Sequence, residues 1–149
     1  MRAVIQRVST ASVEVDSKNI ALIKKGYLIL LGIERQDKKE DSLWLANKIA
    51  NLRIFSDSIG KMNYSIKDVK GDIIVVSQFT LHAKIKKGNR PSYINAAISE
   101  KAFQLYENFK IDLSKSICKD IQSGSFGSEM KVTLTNDGPV TIIIDSKDK

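Results

Sequence analysis

The sequence predicts a single α+β domain, a mostly antiparallel sheet carrying two main helices, and three observations predict it. At 149 residues and 42% hydrophobic, the chain fits one core that buries roughly 68–70% of its unfolded surface. Short runs rich in Val and Ile recur from end to end, some alternating with polar residues as half-buried strands do. Only two stretches carry apolar residues every three or four positions, and no internal repeat or low-complexity linker divides the chain. One domain over 1–149 is expected, with a basic tail at 146–149.

Val4 to Val8 and Ala11 to Asp16 read as two or three short opening strands, with Val13 and Val15 alternating against Ser12 and Glu14. Ser17-Lys18-Asn19 is a turn signal, and Ile20 to Ile23 resumes a strand. Gly26 then introduces Tyr27 to Ile33, an apolar run suited to a central strand buried on both faces. Asp37 and Glu40, three apart, have the spacing of a capping box ahead of Leu45, Ile49 and Leu52, so a helix is expected over 38–52. Arg53 to Phe55 is a short strand, residues 56–63 an exposed loop, and Asp72 to Gln78 the next strong strand. Residues 82–93 form an aperiodic, very basic loop. Ser99 is placed to cap a helix over 100–116, whose stripe is Ala102, Leu105, Tyr106, Phe109 and Leu113. A loop at 123–127 and a strand from Lys131 to Thr135 follow.

Composition narrows the chemistry. One cysteine excludes a disulfide framework within the chain, and one histidine with one cysteine excludes a Cys/His metal cluster. The start, MRAVIQRVS, has no hydrophobic signal core, and the longest apolar run falls far short of the ~20 residues that span a bilayer. A cytoplasmic protein with no membrane partner is expected. A net charge of +7 favours a polyanionic partner, nucleic acid being the commonest. There is no GxSxG elbow, HExxH or Walker loop. His82, the one imidazole, is expected at the surface of its basic loop, and Cys118 as a small buried hydrophobe. Ser77 and Thr80 have no adjacent base that the sequence identifies, which leaves backbone amides as the alternative chemical groups.

The stretch Thr135 to Ile144, TNDGPVTIII, conflicts with itself. It reads as a strand from Val140 onward, yet Pro139 stands at the strand's mouth with no N–H for a ladder. Asn136-Asp137-Gly138-Pro139 concentrates four turn-forming residues, and a Gly-Pro turn presents bare backbone.

Taken with Gln6-Arg7-Val8, Ser77-Gln78-Phe79-Thr80-Leu81 and Asn136-Asp137-Gly138-Pro139-Val140-Thr141, the chain resembles the D-aminoacyl-tRNA deacylases, also called D-tyrosyl-tRNA deacylases. Arg53 to Asp57, Gly60 to Asn63, Gly88 to Ser92 and Gly124 to Phe126 extend the likeness from Met1 to about Asp145. The resemblance implies a barrel-like sheet and a homodimer with two sites at the subunit interface. The implied enzyme is a carboxylic-ester hydrolase acting at the acceptor end of D-aminoacyl-tRNA, and on glycyl-tRNA as well, without cofactor or metal. Gln78, Phe79 and Thr80 would be catalytic, with the Gln78 and Phe79 backbone N–H groups facing the scissile ester. Ser77, Ala102, Phe126 and Met130 would bind substrate, although core packing is the plain alternative for the last three. Gly138 and Pro139 would filter chirality, with Arg7 bracing their turn and a surface ion pair as its ordinary reading. Lys84, Lys86, Lys87 and Arg90 would contact the tRNA backbone. Thr80 as a nucleophile is the alternative mechanism. A noncatalytic RNA-binding module and a sister deacylase for a wrong L-amino acid are the alternative functions.

Overall fold

The computed structural model describes residues 1–86 and 88–149. In chain order its elements are β1 (Arg2–Val15), β2 (Lys18–Ile23), β3 (Gly26–Gly32), α1 (Lys39–Ala50), β4 (Phe55–Ser56), β5 (Met62–Tyr64), β6 (Asp72–Ser77), a 3-10 turn (Phe79–His82), α2 (Ser99–Ile117), β7 (Gln122–Ser123) and β8 (Lys131–Asp145). β1 is the axis of the sheet. It pairs antiparallel with β2 through one half and β3 through the other, and with β8 along its opposite edge. β6 and β7 continue the sheet in parallel beyond β3, since the chain crosses over through α1 between β3 and β6. β4 and β5 form a separate small hairpin.

The sheet curls into a nearly closed barrel, and both of its faces are apolar. On the helix face, Ile5, Ile29 and Val75 pack with Leu45 and Ile49 of α1 and Leu105 and Phe109 of α2. On the inner face, Val8, Val13, Leu28, Ile74 and Val76 meet Met130, Val132 and Leu134. β3 is buried on both faces, as its unbroken apolar run predicts.

Several local expectations are corrected. The opening is one continuous strand, because Ser9 and Thr10 offer no Gly, Pro or Asn to break it and register shifts absorb the bend. Asp37 does not cap α1; its buried carboxylate accepts from the Met1 ammonium at 2.5 Å and from the Glu34 N–H at 2.7 Å. Asp41 closes the cap by accepting the Lys38 N–H at 2.9 Å. Ser99 is the first residue of α2, and Ile98 before it makes no side-chain cap. Cys118 is exposed, since it ends α2 in a left-handed conformation beyond the apolar stripe.

Candidate functional site

The end of β6 builds one wall of a cavity. Ser77 is its last residue, and the Gln78 N–H still donates to Leu31 O at 2.8 Å, prolonging the pairing with β3. The chain then tightens into the 3-10 turn, with Leu81 N–H donating to Gln78 O at 3.3 Å and Ala83 N–H to Thr80 O at 3.0 Å. Ser77, Gln78 and Phe79 thereby face a cavity of about 470 Å³ that Ala97, Ser99, Ala102, Phe126 and Met130 also line. Thr80 stands behind that wall, its hydroxyl bonded to the Gln78 carboxamide Nε2. One expectation fails here. The Gln78 backbone N–H is already committed to Leu31, so it is not free for a substrate, whereas Phe79, the first residue of the turn, has no carbonyl behind it within the turn.

The far wall depends on a tight loop. Gly124 N–H donates to Val75 O at 2.9 Å, and a Cβ on Gly124 would stand 2.5 Å from Met130 Sδ, so its bareness lets Met130 lie across the cavity. Ser125 and Ser128 share a hydroxyl hydrogen bond at 2.7 Å, closing the loop around Phe126. That ring packs edge-on to Phe103 at 5.4 Å and tilted on Tyr106, whose hydroxyl donates to Val75 O at 2.8 Å. Phe126, Met130 and Ala102 are half-buried and face the cavity as well as the core.

The lining contains no Asp, Glu, His, Cys or Lys, and among the described residues no acidic, His or Cys group is arranged to hold a metal ion. His82 is not at the surface as expected. It ends the 3-10 turn only 6% exposed, because its ring packs on Gly32 rather than following the basic loop outward. Burial pushes its pKa below the ordinary value.

The Gly138-Pro139 segment lies inside β8 as an outsize bulge. Asn136 stands opposite Val8 and Thr141 opposite Gln6, so residues 137–140 face Arg7 alone. Arg7 is buried. Its Nε donates to Asp137 O at 2.8 Å and its Nη1 to Ile54 O at 2.6 Å, tying the bulge to the chain ahead of β4. Asn136 closes the bulge from within, accepting the Val140 N–H at 2.7 Å and donating to Val140 O at 3.2 Å. These bonds replace those the ladder loses at a proline. Gly138 has φ +141°, and a Cβ there would come 2.8 Å from Val140 Cγ2 and 2.9 Å from Arg7 Nη2. The Gly138–Pro139 peptide is cis. Both residues are exposed, and neither lines the cavity of its own chain.

Lys84, Lys86 and Arg90 are exposed on the loop after the turn, where Lys84 and Ser92 pair at 2.8 and 3.0 Å; Lys87 lies outside the described residues. Phe79 and Tyr93 meet edge to face at 4.9 Å at the base of this loop. Sequence reasoning placed no site role on Ser99, Gly124 or Asn136. Asn136 carried a turn signal, but the bonds it makes depend on a register that only the fold supplies.

The D-Tyr-tRNA(Tyr) deacylase family profile matches residues 4–145. The chain is 60% identical to the D-aminoacyl-tRNA deacylase of Flavobacterium psychrophilum and 61% to that of Christiangramia forsetii, each over 100% of this chain and 99% of the relative. A solved c-Myc DNA Unwinding Element Binding Protein superposes with a TM-score of 0.92 at 41% identity, covering 97% of this chain and 98% of the other. A probable eukaryotic D-amino acid tRNA deacylase shares the fold at a TM-score of 0.83 and 16% identity, covering 96% and 97%. The chain therefore belongs to the D-Tyr-tRNA(Tyr) deacylase family, enzymes that hydrolyse the ester between an amino acid and tRNA.

Proposed function

We propose that the chain hydrolyses the ester of D-aminoacyl-tRNA, and of glycyl-tRNA, in the cavity at the end of β6, releasing free amino acid and tRNA and so proofreading chirality in translation. The observation that carries this reading is the cavity itself: Ser77, Gln78, Phe79, Ala102, Phe126 and Met130 come from distant parts of the chain to line one space that holds no carboxylate, imidazole or thiol. An aminoacyl ester is already activated, and the ribose 2′-hydroxyl beside it can assist attack by water. Positioning and one or two donors to the developing oxyanion then suffice. Phe79 N–H is the backbone donor, and the Gln78 carboxamide, held by Thr80, orients the substrate. Phe126 and Met130 supply apolar surface for the terminal adenosine.

D and L esters carry the same atoms, so discrimination comes from geometry. In this proposal two copies associate, and the exposed Gly138-Pro139 bulge of each enters the other's cavity, filling the space an L side chain would need. What supports it is the bracing of the bulge by Arg7 and Asn136, together with its exposure and its absence from the lining of its own chain's cavity. Exclusion by clash leaves the D side chain largely unread and admits glycine. Lys84, Lys86, Lys87 and Arg90 would hold tRNA phosphates.

A noncatalytic RNA-binding module accounts for the basic loop but not for the cavity, and a sister deacylase for L-amino acids would reverse the stereochemical preference. Matched D- and L-tyrosyl-tRNA, with glycyl-tRNA alongside, separate all three. Release of D-tyrosine and glycine with L-tyrosyl-tRNA spared supports the proposal; release of L-tyrosine, or no release, overturns it.

A further inference from the structure

His82 has no part in the chemistry above, yet it is buried at the junction of both cavity walls. Its ring lies flush on the last residue of β3: a Cβ on Gly32 would sit 3.0 Å from the ring's Cδ2 and Nε2. Nδ1 faces Glu34 Oε2 at 3.7 Å, and Nε2 is buried without a partner among the described residues. The turn that ends in His82 carries Phe79 and Thr80, and Arg2 holds its back through a 2.8 Å bond from Nη1 to Leu81 O. The backbone beyond Gly32 carries the opposite wall: Ala97 N–H donates to Ile33 O at 3.0 Å and Arg35 N–H to Asn95 O at 3.0 Å, placing Ala97 and Ser99 in the cavity.

We propose that His82 is a positioning residue for deacylation, the joint that sets the Gln78–Thr80 wall against the Ala97–Ser99 wall and lets go when its imidazole is protonated. The inference rests on the assignment of the reaction to this cavity. With the proton on Nδ1, the ring faces Glu34 and leaves Nε2 a bare acceptor against Gly32. A second proton puts a full charge into this dry contact; the Gly32 backbone beside the ring offsets part of the cost, but desolvation outweighs it. The surroundings are crowded with charge. Glu34 is ion-paired with Lys147, Asp37 with the Met1 ammonium, and Arg2 flanks the turn. Arg2 and the Met1 ammonium oppose an added positive charge while Asp37 and the Gly32 backbone favour it, and burial, the largest influence, sets the balance against the charged ring. Charging the ring displaces it, and the turn carrying Phe79 moves with it.

The chain has one histidine, so its ring Cε1–H resonance is read without ambiguity. The test titrates the full-length protein from pH 8 to 5 by NMR, with and without D-tyrosyl-adenosine in which an amide replaces the ester. Occupancy of the cavity favours the neutral ring, so the titration should move down by about half a pH unit or more, by reciprocal linkage. In parallel, His82→Gln keeps a donor toward Glu34 but cannot titrate. The ratio of wild-type to variant kcat on D-tyrosyl-tRNA should fall several-fold between pH 7.5 and 5.5, with KM little changed. A ligand-independent titration, or a ratio constant with pH, overturns the proposal. Ala102→Trp, which fills the cavity, separates the two levels: if it spares hydrolysis, the cavity assignment itself is wrong, whereas if it abolishes hydrolysis while the His82 readouts stay fixed, only the positioning role is wrong.

Discussion

Gly138 is the residue on which stereochemical exclusion is most exposed to test. Its φ of +141° is open to glycine and costs other residues about 1–3 kcal/mol, and a Cβ would strike Arg7 Nη2 and Val140 Cγ2. Gly138→Ala should therefore shift the bulge and lower the D-to-L preference in single-turnover hydrolysis by about tenfold or more, since each 1.4 kcal/mol of misfit is a factor of ten. An unchanged preference would show that the bulge filters nothing. Arg7→Met leaves Asp137 O and Ile54 O without their charged donor, each an orphaned acceptor worth about 1–3 kcal/mol; denaturant unfolding should register a loss of that order, together with weaker D/L discrimination. Thr80 bonds the Gln78 side chain and does not line the cavity. Thr80→Ala is thus expected to lower kcat about tenfold, far from the near-total loss that follows removal of an obligatory nucleophile; a trapped acyl-Thr80 would establish the alternative mechanism. His82 carries a prediction for stability as well. Its folded pKa lies below its unfolded one because of burial, so the unfolded chain takes up the proton first. Stability is full above the unfolded pKa of about 6.5 and falls as pH drops through it toward the folded value. The wild-type Tm should decline more between pH 7 and 5 than that of His82→Gln.

At the scale of elements, the sequence discloses what depends on local pattern. β3 announces itself as an unbroken apolar run, and α2 as a stripe of Leu105, Tyr106, Phe109 and Leu113, because burial imposes periodicity directly on the residues it covers. β8 is harder to read. The turn chemistry of residues 136–139 is visible in sequence, but that the strand runs on through it follows from Arg7 and Asn136 replacing the lost ladder bonds, one of them from 130 positions away. His82 misleads for the same reason: its neighbours in sequence are basic and exposed, while its neighbours in space are Gly32 and Glu34. Asp37 has the spacing of a helix cap, yet the Met1 ammonium is the stronger partner for a buried carboxylate. The loop after the 3-10 turn carries its own test. Among the described residues Lys84, Lys86 and Arg90 form no ion pair, so their charge is available to phosphates. Replacing these three and Lys87 by alanine should reduce the slope of log affinity for tRNA against log salt by about 1 for each phosphate no longer neutralised, and raise KM more than it lowers kcat. An unchanged slope would make the loop a solvated surface.

For the molecule as a whole, cavity and bulge are separate features of one chain, and the proposed filter exists only when two copies bring them together. Net charge of +7 draws such an assembly to tRNA without regard to sequence, which suits an enzyme that inspects an ester common to all charged tRNAs. The whole-molecule consequence is complementation. A mixed dimer of Ala102→Trp and Gly138→Ala chains pairs one chain's intact cavity with the other's intact bulge, so one of its two sites should combine the hydrolysis that the Ala102→Trp parent lacks with the full D-to-L preference that the Gly138→Ala parent has lost. Whether the cavity hydrolyses by positioning and selects by exclusion is decided by time courses on D-tyrosyl-, L-tyrosyl- and glycyl-tRNA prepared on matched tRNA. D-tyrosine and glycine should be released rapidly, with L-tyrosyl-tRNA decaying at the rate seen without enzyme. Comparable release of D- and L-tyrosine, or sparing of glycyl-tRNA together with D-tyrosyl-tRNA, would contradict it.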